Sequence, residues 1–227
     1  MRDMRPSELV QAALTDAGRT LIRMPGRTPE SGLHEVKELA PSLRASLMRV
    51  GVPADGVLLS HGTGMANWNR ATSQVDVVVL DAHGDVDIAV ELKVWDIGHQ
   101  LFDLAKVCCL LAAGARAAFL ICVARRSHDF DRHAGGELFP AIERQSREHD
   151  FLDLIGRHRD EWRRHVGKGR PEPISIPSSV RTTAVSCDVP IDAYPGHSAR
   201  AVEVTVRDAK PVTLRDGWPA QLGHDPI

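Results

Sequence analysis

Asp76, Glu91 and Lys93 are the residues whose types and spacing best suit metal-dependent hydrolysis. Two carboxylates can hold Mg²⁺, because this ion prefers oxygen ligands and keeps several of its waters. A cation held in this way can stabilise negative charge on a phosphate and lower the pKa of a water. A lysine beside the carboxylates can orient that water. The three side chains must therefore meet in the folded chain, and the elements that carry them decide whether they do.

A β-hairpin is the element that would bring them together. Residues 74–80 and 86–94 are two valine-rich runs that flank a short polar segment, residues 82–85. We expect a two-residue turn centred on His83 and Gly84, because such turns are the shortest connection between antiparallel strands. A turn of known length fixes the register of the two strands.

In this register Asp76 faces Glu91, and opposed side chains have Cβ atoms roughly 4.5–5.5 Å apart. Lys93 lies two residues beyond Glu91 and therefore on the same face. Without a cation, the facing carboxylates would repel each other and raise the pKa of one of them. The other expected pairs are Val79 with Ile88 and Val77 with Val90. The residues expected on the opposite, apolar face are Val75, Val77, Val79, Val86, Ile88, Val90, Leu92 and Val94.

An ion pair on an exposed sheet face is the ordinary alternative for these residues. Against it, Val78, Leu80 and Ala89 share the same predicted face, which indicates that the face is covered. Because unpaired buried charge is costly, a covered face with three ionisable groups needs a reason such as metal binding. The acid-x-lysine pattern alone is weak, since residues 35–37 and 208–210 repeat it without a hairpin partner.

The elements around the hairpin follow the order helix, strand, strand, strand, helix, strand between residues 29 and 124. Leu39, Leu43 and Leu47 recur every four residues on the first helix. The all-apolar segment 117–123 suits a strand that is covered on both faces, and the helix before it favours a parallel crossover to the hairpin.

With Asp76 on the middle strand and Glu91-Leu92-Lys93 on the next, this order resembles the PD-(D/E)XK, or restriction-endonuclease-like, nuclease superfamily. Val75 stands where the motif has a proline. The resemblance implies an α/β fold with an αβββαβ core, whose central mixed sheet is flanked by helices. An extra C-terminal helix and β-strands would extend this core.

The resemblance also implies a site for Mg²⁺, with Mn²⁺ as a substitute, held by Asp76 and Glu91. The main-chain carbonyl of Leu92, between the two catalytic positions, is the expected third ligand, and Lys93 assists the attacking water. Glu35 on the first core helix and Gln100 at the start of the second are the further candidates for the catalytic site.

The expected function is therefore Mg²⁺-dependent hydrolysis of phosphodiester bonds in DNA, with RNA as the second choice of substrate. A catalytically weak nuclease-fold protein that binds nucleic acid or acts as a scaffold subunit is the alternative. The formal net charge of −2 and the 4% aromatic content favour that alternative, because they provide little general attraction or stacking for nucleic acid. Another metal-assisted reaction on nucleotides or small phosphoesters is a third possibility.

We expect three segments: an N-terminal helical extension at residues 1–28, the nuclease-like core with following helices at 29–166, and a linker with a C-terminal β segment packed on the core at 167–227. Residues 140–166 read as largely helical. The C-terminal strands could present an edge for a homodimer or a protein partner.

A cytoplasmic protein is expected, because the four cysteines form no CxxC pair and no apolar signal segment follows the N-terminus. The apolar run at residues 107–124 contains Arg116 and a glycine, so it predicts a helix, a turn and a buried strand. We therefore expect nucleic acid, and no membrane, as the partner.

Overall fold

Runs rich in valine and leucine form the strands of one large sheet, as β-branched residues favour a pleated, buried surface. The computed structural model describes residues 4–28, 33–66, 72–94, 100–125, 130, 135–165, 177–208, 214–215 and 218–219. The strands of the sheet are β1 (Val57–Ala66), β2 (Thr72–Leu80), β3 (Val86–Val94), β4 (Ala117–Ala124), β5 (Ser146–Asp150), β6 (Ser179–Pro190) and β7 (Ser198–Asp208). A separate pair consists of β8 (Leu214–Arg215) and β9 (Trp218–Pro219).

Helices form between these strands where the apolar period changes to that of a helix. They are α1 (Pro6–Thr20), a π-helix (Glu35–Leu39) that continues into α2 (Ala40–Arg49), a 3₁₀-helix (Ala54–Gly56), α3 (Gln100–Ala112), α4 (Gly135–Leu138), α5 (Phe151–Arg157) and α6 (Arg159–His165). Residues 29–32, where the sequence places the start of the first core helix, lie outside the described residues.

The large sheet is mixed, with the strand order β1-β2-β3-β4-β7-β6-β5. Among the strands that the structure describes, β3 and β4 are the one parallel pair, and α3 makes the crossover between them. The predicted mixed α/β sheet is confirmed, as is the helix, turn and strand interpretation of residues 107–124. Among the described residues, no helix combines the length and the apolarity that a membrane crossing requires.

Helices cover both faces of the sheet. On one face, α1 and α2 pack through residues such as Leu14 and Leu43 against Val77 and Val90. On the other face, the core that contains Val78 and Ala89 also includes Leu104 of α3, Phe151 of α5 and Trp162 of α6. Val78 and Ala89 are fully buried. The expectation that this face of the hairpin is covered is therefore confirmed, and the alternative of an exposed sheet face is wrong.

From Val77 to Val79 the β2–β3 hairpin has the expected register, but its turn is different. The expected pair of Asp76 with Glu91 lies beyond the paired residues and stays a prediction. The Asp81 N–H donates to the Asp85 carbonyl (2.9 Å) and the Gly84 N–H to the Asp81 carbonyl (3.2 Å), which encloses three loop residues. Gly84 has a φ of 86°, the left-handed conformation that such a loop requires. Leu80 pairs with Val86, and a one-residue shift follows. The prediction of a two-residue turn is therefore wrong. Because of the one-residue shift, two expected pairs still form, Val79 with Ile88 and Val77 with Val90.

The expected division of the hairpin into two faces is wrong at two positions. Val75 belongs to the core under α3, and Val86 packs against that same core. Val86 lies at the register shift beside the turn, so its side chain changes face. Val75 lies beyond Val77, where the pairing of β2 with β3 ends.

The C-terminal part of the chain extends the core sheet. β7 pairs with β4, and β6 pairs with β7. The helical expectation for residues 140–166 is wrong in part, because β5 lies there and pairs with Ser179–Thr183 of β6. The two predicted C-terminal strands exist, but β7 is an interior strand and β5 covers part of β6, so they do not form a free two-stranded edge. Residues 167–176 of the expected linker lie outside the described residues.

Candidate functional site

Six ionisable side chains meet between the hairpin, α3 and the π-helix. We call them the charged cluster, and its members are Glu35, Asp76, Glu91, Lys93, Asp103 and Lys106. The first four were predicted as site residues from the sequence, and the structure brings them together.

Asp76 and Glu91 are the two carboxylates at the centre of the predicted site. Asp76 Oδ2 accepts a hydrogen bond from the main-chain N–H of Leu92 (2.8 Å), and burial raises the pKa of Asp76 despite this bond. Glu91 is only 3% exposed. Its Oε1 accepts a hydrogen bond from Lys106, whereas its Oε2 is buried and has no hydrogen-bond partner among the described residues. Burial and the charge of Asp103 raise the pKa of Glu91, and Asp76 adds to this effect.

Lys93 links the hairpin to the other two elements. Its Nζ lies 3.2 Å from Asp103 Oδ2 and 4.0 Å from Glu35 Oε2. Burial alone would lower the pKa of Lys93, but Asp103, Glu35 and Glu91 outweigh it and raise the pKa. Lys93 is therefore a cation at neutral pH.

Glu35 begins the π-helix, a rare geometry that is frequent at functional sites. Its Oε2 accepts a hydrogen bond from the main-chain N–H of Val94 (3.0 Å), at the end of β3. Burial raises the pKa of Glu35 to about 7, with smaller contributions from Asp76 and Asp103, despite the opposing effect of Lys93.

Asp103 and Lys106 belong to the cluster but were not predicted. Lys106 Nζ lies 2.9 Å from Asp103 Oδ1 and donates to the Gln74 carbonyl (3.2 Å). Although burial opposes ionisation, Lys106 and Lys93 lower the pKa of Asp103 to about 2. A signal was present in the sequence, because these are the only charged residues of α3 and a spacing of three places them on one side of the helix. The side of the sheet on which α3 packs was needed to use it.

Gln100 and Leu92 have contacts that differ from their expected roles. Gln100 is 2% exposed and its Nε2 donates to Cys122 Sγ (3.9 Å), while its Oε1 is buried without a hydrogen-bond partner among the described residues. The contact that Leu92 makes with the cluster is its N–H bond to Asp76. The roles of Gln100 in catalysis and of the Leu92 carbonyl in metal binding stay predictions.

The donor chemistry of the cluster fits a divalent cation. Four carboxylates against two ammonium groups leave a net charge of −2 when all are ionised, which one divalent ion would balance. Glu91 Oε2 is a buried oxygen in need of a partner. Within the described part of the chain, however, no group of three or more His, Cys, Asp or Glu side chains is arranged to enclose a metal ion. Lys106 lies between Glu91 and Asp103, and its ammonium contacts one oxygen of each carboxylate.

The fold and the site define a mixed α/β protein with a buried charged cluster at one end of its central hairpin. No protein-family model, curated protein or solved structure matches the chain. The resemblance to the PD-(D/E)XK superfamily therefore stays a prediction from the sequence.

Proposed function

We propose that this protein is a Mg²⁺-dependent phosphodiesterase with a restriction-endonuclease-like core, and that it hydrolyses DNA in preference to RNA. The buried Glu91 Oε2, which has no hydrogen-bond partner among the described residues, carries the proposal, because it lies in a cluster with a deficit of positive charge. Asp76, which is near Glu91, provides a second carboxylate for the metal. Lys93, on the same face of the hairpin, provides a positive charge beside it.

Asp76 and Glu91 would hold the cation. When bound, the cation would neutralise charge on the phosphate and acidify a water. Lys93 stays protonated at neutral pH, so it serves as a hydrogen-bond donor to the water or the phosphate and not as a base. Glu35 has a pKa of about 7, which suits a general base near neutral pH. Its carboxylate, 4.0 Å from the Lys93 ammonium, can accept the proton that the attacking water loses.

A cleavage assay with matched variants tests the proposal. The substrates are supercoiled plasmid, single-stranded DNA, RNA and bis(p-nitrophenyl) phosphate, each with Mg²⁺, Mn²⁺ or EDTA. We expect the full chain to nick or degrade DNA with either metal and not with EDTA. Lys93→Ala and Asp76→Ala should each lower the rate by at least about 100-fold, the usual scale for electrostatic groups of an active site.

Lys37→Ala is the control, because Lys37 is exposed and outside the charged cluster. It should cleave at the wild-type rate. Cleavage that persists in both Lys93→Ala and Asp76→Ala would contradict the proposal, as would its absence from the wild-type protein under all metal conditions. Cleavage of the small phosphoester alone would indicate a different substrate class.

A binding or scaffold protein with weak catalysis is the second candidate. The direct pairing of Lys106 with Glu91 favours it, because an internal cation already neutralises one of the carboxylates that a metal would use. This candidate predicts tight DNA binding by fluorescence anisotropy without cleavage, or a stable complex larger than one chain in solution. A monomer that cleaves DNA would exclude it.

A further inference from the structure

Lys106 occupies a position lined by oxygen atoms. Its ammonium contacts Glu91 Oε1, Asp103 Oδ1 at 2.9 Å and the Gln74 carbonyl at 3.2 Å. Its side chain is almost completely buried, with Nζ 5.7 Å from the centre of the Phe102 ring. Two carboxylates and one carbonyl are the oxygen ligands that a divalent cation of the Mg²⁺ type takes from proteins. An amine therefore lies where the surrounding atoms also suit a metal ion.

The two carboxylate oxygens of Glu91 have different surroundings, and we call the space beside Oε2 the open position. Oε1 is bound to the ammonium, and Oε2 is buried without a hydrogen-bond partner among the described residues. The Asp76 carboxylate lies at the same end of the hairpin, because its Oδ2 accepts a hydrogen bond from the main-chain N–H of Leu92, the residue after Glu91 (2.8 Å). The cluster thus contains one cation position that is filled and a second that is not.

We propose that Lys106 is a built-in cation that takes one of two possible metal positions, so that this chain binds a single divalent ion through Glu91 Oε2 and Asp76. This inference rests on the proposed function for the identity of the second cation. When all six groups are ionised, the cluster carries a charge of −2, which one divalent ion balances, whereas two would leave a buried excess of positive charge. In this arrangement Lys106 is a positioning residue, which fixes Glu91 and keeps Asp103 and Gln74 from ligating the metal.

Calorimetric titration with Mn²⁺ tests the role of Lys106 without any reaction. The proteins are the wild type, Lys106→Met, which keeps the length of the side chain but not its charge, and Lys37→Met as the control. We expect one Mn²⁺ per wild-type chain. Lys106→Met should bind Mn²⁺ at least about tenfold more tightly, because a competing positive charge has been removed from a partly desolvated site. Lys37→Met should bind like the wild type. An affinity of Lys106→Met equal to or weaker than that of the wild type would overturn the proposal.

A parallel titration with Mn²⁺, followed by circular dichroism, monitors the folding of Lys106→Met. If Lys106→Met is unfolded without metal, folding on addition of Mn²⁺ supports the proposal. If it stays unfolded, Lys106→Met combined with Asp103→Asn removes one charge of each sign and so keeps the net charge of the cluster unchanged. This double variant should also bind Mn²⁺ more tightly than the wild type, and equal or weaker binding overturns the proposal.

Anomalous diffraction from wild-type crystals soaked in Mn²⁺ provides the measurement that needs no variant. The expected peak contacts Glu91 and Asp76 while Lys106 keeps its place. A peak that contacts Asp103 or the Gln74 carbonyl overturns the proposal.

Failure of the proposed function gives a different result from failure of this inference. If the wild type binds one Mn²⁺ and Lys106→Met binds it more tightly, but the wild type cleaves no DNA, the proposed function is wrong and the role of Lys106 stands. If the wild type binds Mn²⁺ and cleaves DNA, but Lys106→Met binds no more tightly, the role of Lys106 is wrong and the proposed function stands.

Discussion

Glu35 connects the chemistry of the charged cluster to the stability of the fold. Its pKa is about 7 in the folded protein, against an ordinary value of 4.5, because its carboxylate is largely buried and close to Asp76 and Asp103. Between these two pH values the folded chain binds more protons than the unfolded chain. The free energy of unfolding therefore falls as the pH rises from about 4.5 to 7. Glu91, whose pKa is also raised, acts in the same direction.

The variant Glu35→Gln isolates this contribution. In the absence of metal, we expect the stability of the wild type relative to Glu35→Gln to fall by on the order of 1–3 kcal/mol between pH 5 and pH 8. Urea denaturation at several pH values measures the difference. Stability profiles of the two proteins that run parallel over this range would show that Glu35 does not titrate there.

At the scale of elements, the docking of α3 on β3 depends on the ion pairs of Asp103. Asp103 is buried between Lys93 and Lys106, so Asp103→Asn removes a charge while two buried ammonium groups remain. Breaking a buried pair in this way costs about 3–5 kcal/mol. We expect that loss in the free energy of unfolding, measured with urea.

Asp87→Asn is the matched control for this prediction. Asp87 pairs with Arg116, whose side chain is 59% exposed, and exposed pairs contribute about 1 kcal/mol or less. A loss for Asp103→Asn no larger than that for Asp87→Asn would show that the buried pairs do not hold α3 in place.

The same element shows where prediction from the sequence stops. The period of a strand was sufficient to place Glu91 and Lys93 on one face, and the hairpin brought Asp76 to them although its turn has three residues. Asp103 and Lys106 are charged residues on α3. The partners that they reach on β3, Lys93 and Glu91, are 10 and 15 residues away in the chain. A local pattern defines the face of a helix but not the sheet face on which it packs.

At the scale of the whole molecule, the sequence predicted where strands form more reliably than which strands pair with one another. β6 and β7 were expected from their apolar residues, whereas the insertion of β7 between β4 and β6 was not. Such pairing joins segments far apart in the chain, and no local signal specifies it. β5 lies in the segment 140–166 that was predicted to be largely helical. Its five residues, Ser146–Asp150, are polar, so they show no apolar alternation that would predict a strand. Its strand conformation depends on pairing with β6.

The arrangement of the whole sheet determines whether Asp76 and Glu91 act as one binding site. Binding of Mn²⁺ to the wild type, Asp76→Asn and Asp55→Asn tests this most directly, because Asp55 is an exposed aspartate outside the charged cluster. We predict saturable binding to the wild type and Asp55→Asn, and an affinity at least about tenfold weaker in Asp76→Asn, because a charged ligand is lost. Equal affinity in Asp76→Asn and the wild type, or no binding to the wild type, would contradict the central claim.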